Sequence, residues 1–125
     1  MNTLDIMRAL ASEGEVVQLA EGETIFSSGD SGDCMYGVLD GTVELSWDDH
    51  RRREVIRFGE VFGAGALVTT EHRRFGDARA LTPTRLLVMN REKFLFAVQE
   101  TPMFAVELLA SIDKRLRDLK NSQSA

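Results

Sequence analysis

The chain has 125 residues, 43% of them hydrophobic and 28% charged, with a formal net charge of -5 and a single cysteine. That length fits one hydrophobic core, no apolar run approaches the ~18 residues of a membrane span, and Cys34 cannot form an internal disulfide. The acidic balance has the wrong sign for a domain whose main partner is nucleic acid, and the opening MNTLDIMRALASEGE lacks the basic and apolar regions of a secretory signal. The expectation is a single cytoplasmic domain over residues 1–125.

In chain order, a short helix over Leu4 to Leu10, capped by Thr3, comes first. A glycine-punctuated β stretch follows, with glycines at 14, 22, 29, 32, 37, 41, 59, 63, 65 and 76 and none beyond. Between them, strands are predicted at Val16 to Leu19, Thr24 to Phe26, Met35 to Leu39, Thr42 to Trp47, Glu54 to Phe58 and Arg85 to Met89. Short strands divided by turns indicate a sandwich, roll or barrel. Asp40-Gly41 supplies the positive φ of a tight hairpin, and Val43, Leu45 and Trp47 alternate with Thr42, Glu44 and Ser46, so one face is buried. The arginines after His50 read as a solvated hairpin tip. Asn90 caps a short helix carrying Phe94, Leu95 and Val98. Thr101-Pro102 opens a second helix of about five turns, with Phe104, Leu108, Ile112, Leu116 and Leu119 on one stripe. Asn121 to Ala125 read as a frayed end.

Gly22 to Leu45, GETIFSSGDSGDCMYGVLDGTVEL, resembles the first half of a cyclic-nucleotide-binding domain, as found in bacterial catabolite-activator-type regulators, kinase regulatory subunits and gated channels. Gly22, Ile25, Phe26, Gly29, Asp30, Asp33, Met35, Tyr36, Val38, Gly41 and Val43 fall in the family's order. GEVFGAGALVTT (Gly59 to Thr70) and RRFGDARALTPTRLLVMNREKF (Arg73 to Phe94) continue it, so the resemblance covers about residues 14 to 120. It implies a mainly β fold, a double-stranded β-helix (a jelly-roll-like β-roll) over about 14–90, flanked by a short N-terminal helix and by C-terminal helices over about 91–120.

The resemblance also implies a cassette for an anionic nucleotide ligand: Phe62, Gly63, Ala64, Gly65, Ala66, Arg74, Phe75 and Gly76. In the family a short helix after Phe-Gly aims backbone N–H groups at a cyclic phosphate, an arginine pairs with its charge, and a glutamate accepts from the ribose. Phe62-Gly63, Ala66-Leu67 and Arg74 match. The ribose glutamate is replaced by Ala64, Gly65 stands where a bulky aliphatic is usual, Phe75 follows the arginine in place of a small residue, and Gly76-Asp77 replaces Ala-Thr. Phe75 could fill the pocket, and Arg74 either faces an anion or pairs with Asp77 or Glu71. Three outcomes stay open: cyclic AMP, another anionic nucleotide made possible by the space at Ala64 and Gly65, or no ligand.

Family members signal through the C-terminal helix, so Phe104, Leu108, Ile112, Leu116 and Leu119 are the expected homodimer interface. Catabolite-activator-type regulators continue into a helix-turn-helix domain. Here the chain stops at Ala125 with no recognition helix and a negative net charge, so no direct nucleic-acid contact is expected. If the chain is full length its output passes to a separate downstream protein partner, and if it is a fragment the missing part holds that answer. A metal enzyme of cupin type needs clustered histidines, but His50 and His72 stand alone, and no serine nucleophile elbow occurs. No catalytic residue, metal or membrane contact is expected, and Cys34 reads as packing. The chain reads as a non-enzymatic sensor or, alternatively, as a ligand-independent dimeric adaptor.

Overall fold

The computed structural model describes residues 2–10 and 15–123. Helix α1 (Thr3–Leu10) precedes strands β1 (Val16–Leu19), β2 (Thr24–Phe26), β3 (Cys34–Asp40), β4 (Val43–Trp47), β5 (Arg52–Ile56) and β6 (Val61–Phe62). The short helix α2 (Gly65–Val68), strands β7 (Asp77–Ala80) and β8 (Thr84–Asn90), and helices α3 (Arg91–Glu100) and α4 (Pro102–Gln123) complete the order. The strands form two four-stranded sheets, ordered β1-β8-β3-β6 and β2-β7-β4-β5, with antiparallel pairing throughout. This is the expected jelly-roll-like β-roll flanked by terminal helices. No single helix among the described residues is long and apolar enough to cross a membrane. The turn expected at Gly14, and the chain end at Ser124 and Ala125, lie outside the described residues.

Asp40-Gly41 does not close a hairpin. β3 pairs with β6 and β8 while β4 pairs with β5 and β7, so the turn carries the chain from one sheet to the other. Gly41 has φ 88°, and a Cβ there would strike the Pro83 carbonyl. The Asp-Gly signal reports the positive φ, which a corner between sheets needs as much as a hairpin does. Other boundaries shift for local reasons. Asn2, not Thr3, caps α1, its Oδ1 accepting from Asp5 N while Asp5 Oδ2 accepts from Asn2 N. β5 starts two residues before the expected Glu54, leaving Phe58 in an exposed turn. β6 and β7 were not expected, because two residues carry no alternation and Asp77 and Arg79 hide it in the other. α4 stays helical through Asn121 and Ser122, which were expected to fray.

β3 is buried on both faces, which explains its nearly unbroken apolar run. Tyr36 and Val38 face between the sheets, where Val38, Val43, Ile56, Phe62, Ala78 and Leu86 form one cluster. Met35 and Leu39 face a second cluster under the helices, with Leu4, Met7, Leu87, Met89, Phe94 and Phe104. Gly37 alternates onto that second face with Met35 and Leu39, and it is glycine because a Cβ there would strike Leu4 Cδ1. Asn90 caps α3 as expected, accepting from Lys93 N, and Phe94 meets Phe104 edge-on with centroids 5.9 Å apart. Phe104 is fully buried where α3 and α4 meet, so its truncation leaves a cavity. Phe104→Ala is expected to destabilise the fold by about 3–5 kcal/mol, read by chemical denaturation.

Candidate ligand pocket

The β2–β3 connection and the loop before β7 are zipped together. Gly29 N donates to Arg74 O (2.9 Å), Gly32 N to His72 O (2.7 Å) and Arg74 N to Asp30 O (2.8 Å). This pairing aims the Arg74 side chain inward. Gly32 is required beneath it, because a Cβ there would lie 2.5 Å from Arg74 Nε and 2.6 Å from the Ala66 Cβ. Arg74 is only 6% exposed. Its Nη1 donates to Gly63 O at 2.7 Å and its Nη2 to Cys34 O at 2.6 Å, with Cys34 Sγ 3.6 Å away. The guanidinium lies 4.4 Å from the Phe26 ring centroid and 5.6 Å from that of Tyr36. Tyr36 is itself stacked on Phe62 at 5.1 Å. Burial pushes the Tyr36 phenol well above its usual range, reinforced by its hydrogen bond with Cys34.

Gly63, at φ 85°, turns the chain out of β6 so that Ala64 can start α2. Ala64 offers no side-chain cap, which leaves the first N–H groups of this short helix without a cap acceptor. The other end is held by His72, whose Nδ1 lies 2.8 Å from Ala66 O. Because that partner is a carbonyl, Nδ1 carries the proton.

Beside these elements opens a pocket of about 350 Å³, framed by the second sheet, α2, the loop before β7, and α4. Six of the eight expected ligand residues line it: Gly63, Gly65, Ala66, Arg74, Phe75 and Gly76. Phe62 and Ala64 do not, being buried in the cores on either side. Phe75, at 82% exposure, points outward and stands at the rim, so it does not fill the space. Arg74 pairs with neither Asp77 nor Glu71. Asp77 Oδ1 accepts from Ser28 N at 2.7 Å, and its Oδ2 lies 3.4 Å from His50 Nε2. His50 Nδ1 in turn lies 2.9 Å from Ser46 Oγ. The tertiary fold thus assembles a Ser46–His50–Asp77 chain that the sequence order did not show. With Ser46 buried in β4, it fastens the β4–β5 turn to the pocket wall.

Several wall residues escaped sequence reasoning. Arg115 on α4 makes a bidentate pair with Glu54 on β5 (2.8 and 2.9 Å) and reaches Val61 O at 3.4 Å. These residues are 61 positions apart, and no local pattern joins them. Trp47 was findable, since strand alternation placed it with Val43 and Leu45 on the inward face. Leu119 hangs over the same pocket. Phe104 and Leu108 are buried within their own chain, at 0% and 6%, so they are not available to an outward seam. Leu109, Ile112 and Leu116 are exposed instead.

Two sheets closed on themselves, with a helix-covered pocket on one flank, define a jelly-roll β-roll module. The chain belongs to the cyclic nucleotide-binding domain family, whose model matches residues 16–101. It is 33% identical over 102 residues to the cyclic AMP receptor protein of Thermus thermophilus, covering 78% of this chain and 47% of that protein. It is 32% identical over 108 residues to the lysophospholipase nte1 of Aspergillus terreus, covering 84% of this chain but 7% of that protein. The chain therefore spans under half the length of either relative. Among solved structures, the Thermus thermophilus catabolite activator protein superposes with a TM-score of 0.76 at 26% identity, covering 98% of this chain and 57% of that one.

Removing the Arg74 guanidinium strips the buried Cys34 carbonyl and the part-buried Gly63 carbonyl of a charged donor and the Phe26 ring of its cation. Arg74→Ala is expected to destabilise the fold by about 3 kcal/mol, lowering the melting temperature in a thermal scan by roughly 10 °C even without ligand.

Proposed function

We propose that this chain is a non-enzymatic sensor module that takes an anionic nucleotide-type ligand in the pocket beside α2 and relays occupancy through α4. The observation that carries this reading is the pocket wall itself. Arg73, Arg74 and the uncapped start of α2 stand beside an apolar lining of Phe26, Leu45, Ala66 and Leu119. Such a wall suits a ligand with one charged and one flat apolar end. Gly63, Gly65 and Ala66 are the proposed backbone contacts, with Phe75 and Gly76 at the rim. Arg73 is the freer cation: it is exposed, and its Nη1 donates to Gly29 O at 2.9 Å, with no ion pair among the described residues. The cyclic AMP named for the Thermus relative is one candidate. The position of the ribose glutamate is Ala64, which is turned into the core, and the two carboxylates of the wall, Glu54 and Asp77, are held by Arg115 and by Ser28 N and His50.

α4 is the proposed relay. Arg115 ties it to β5 and Leu119 closes the pocket, so a ligand that displaces either shifts the helix. The same helix is the proposed homodimer seam, corrected by the burial of Phe104 and Leu108. Ala105, Leu109, Ile112, Leu116 and Leu119 recur at alternating spacings of four and three, the repeat of a coiled-coil stripe. A second reading, a ligand-independent dimeric adaptor acting on a downstream protein, is favoured by Arg74, whose guanidinium is committed to the fold.

Gly65 is exposed and a Cβ there meets nothing within 4 Å, so a large side chain enters the pocket without disturbing the core. In isothermal titration with cyclic AMP and cyclic GMP, micromolar binding that is abolished by Gly65→Trp at unchanged melting temperature supports the sensor. Silence from folded protein across anionic nucleotides favours the adaptor. For the seam, Leu109→Glu with Leu116→Glu is expected to convert a dimer to a monomer in sedimentation velocity while leaving the circular dichroism spectrum unchanged. A parent that already sediments as a monomer removes the seam.

A further inference from the structure

Trp47 and Leu119 border the pocket on one side. Both residues also line a second groove of about 550 Å³, whose remaining walls are Arg51, Arg52, Arg53 and Ser122. The two spaces therefore lie on either side of one shared wall. Their charge is opposite to that of the molecule. The first holds Arg73, Arg74 and Arg115 against Glu54 and Asp77. The second holds three arginines and no carboxylate. Both carboxylates of the first are already engaged, Glu54 by Arg115 and Asp77 by Ser28 N and His50. In a chain of net charge -5, these two adjoining spaces gather arginines into a concentrated positive site.

The groove is also held in place. The turn entering β5 carries consecutive left-handed residues, Asp48, Asp49 and His50, at φ 54°, 53° and 64°. None is glycine, and such backbone persists only where its surroundings enforce it. The contacts of His50 to Ser46 and Asp77 provide that enforcement, and Arg53 Nε donates to His50 O at 3.3 Å. Arg53 also lies 3.7 Å from Glu44. Arg51 and Arg52 make no ion pair among the described residues, and Arg52 stands directly across the strand pair from Trp47. Two unengaged guanidinium groups beside an indole ring match a phosphate carried next to a base.

We infer that the Arg51–Arg52 groove, which adjoins the pocket across Trp47 and Leu119, is a second phosphate subsite, so that the chain selects a cyclic dinucleotide over a cyclic mononucleotide. One nucleotide unit occupies the pocket near Arg73, the ligand crosses at Trp47, and the second phosphate meets Arg51 and Arg52. This inference rests on the pocket being a nucleotide site, and it adds the class of nucleotide.

Isothermal titration of the full chain with cyclic di-GMP, cyclic di-AMP, cyclic AMP, cyclic GMP and pyrophosphate tests it, on the parent and on Arg51→Ala with Arg52→Ala. A dinucleotide is expected to bind at least about tenfold more tightly than either mononucleotide, and the double variant to erase that advantage while leaving mononucleotide affinity within roughly twofold. Equal affinity for both classes, or a double variant that weakens both alike, overturns the second subsite and leaves the pocket standing. Pyrophosphate binding lost in the double variant, without a dinucleotide preference, reveals an anion groove unconnected to the pocket and also overturns it. Silence from folded parent protein overturns the pocket reading, and the subsite with it.

Discussion

A guanidinium buried away from solvent must be surrounded by acceptors, and around Arg74 those acceptors belong to segments far apart in the chain. Gly63 O comes from the turn that launches α2, and Cys34 O from the start of β3. The rings of Phe26 and Tyr36 supply the remaining favourable surface. One side chain therefore joins β2, β3, the α2 turn and the loop before β7. Gly32 and Gly63 follow from the same constraint. A Cβ at Gly32 would overlap Arg74 Nε, and one at Gly63 would stand 3.0 Å from Nη1. The glycines of this region are as much the footprint of an arginine as the punctuation of turns.

The pocket inherits its shape from that arrangement. Because Arg74 is drawn inward, Arg73 is left outside, and Phe75, in the bend before β7, is exposed as well. The family position for a charge partner is therefore occupied by a residue that also builds the wall. The cation with more freedom sits one place earlier in the chain. This gives physical content to the choice between sensor and adaptor: folding alone requires an arginine at position 74, whatever its value to a ligand.

On the opposite side, α4 connects the pocket to the outer surface. Its inner face is anchored by Phe104 and Leu108 in the core and by Arg115 on Glu54. The exposed face, through Leu109, Ile112 and Leu116, looks elsewhere. The helix is thus held by buried apolar contacts near α3 and by a part-buried ion pair near the pocket. The ion pair offers little net stability, since its desolvation offsets much of its attraction.

Much of the architecture was legible in order along the chain. β1 and β2 fall on their expected residues, Asn90 caps α3, and Pro102 opens α4, because alternation, capping and proline geometry are properties of neighbouring residues. The ordered glycines and the Gly29-Asp30 turn were enough to point to the family. What the chain alone left undecided were matters of direction between distant segments. It could not say that Asp40-Gly41 changes sheets, since a positive φ is the same in either turn. Nor could it tell whether Arg74 faces a ligand or the core, whether Phe75 blocks or borders the pocket, or that Glu54 finds Arg115. Each of these depends on which carbonyl, ring or carboxylate lies opposite in space, and only the packing of the two sheets and α4 brings those groups together.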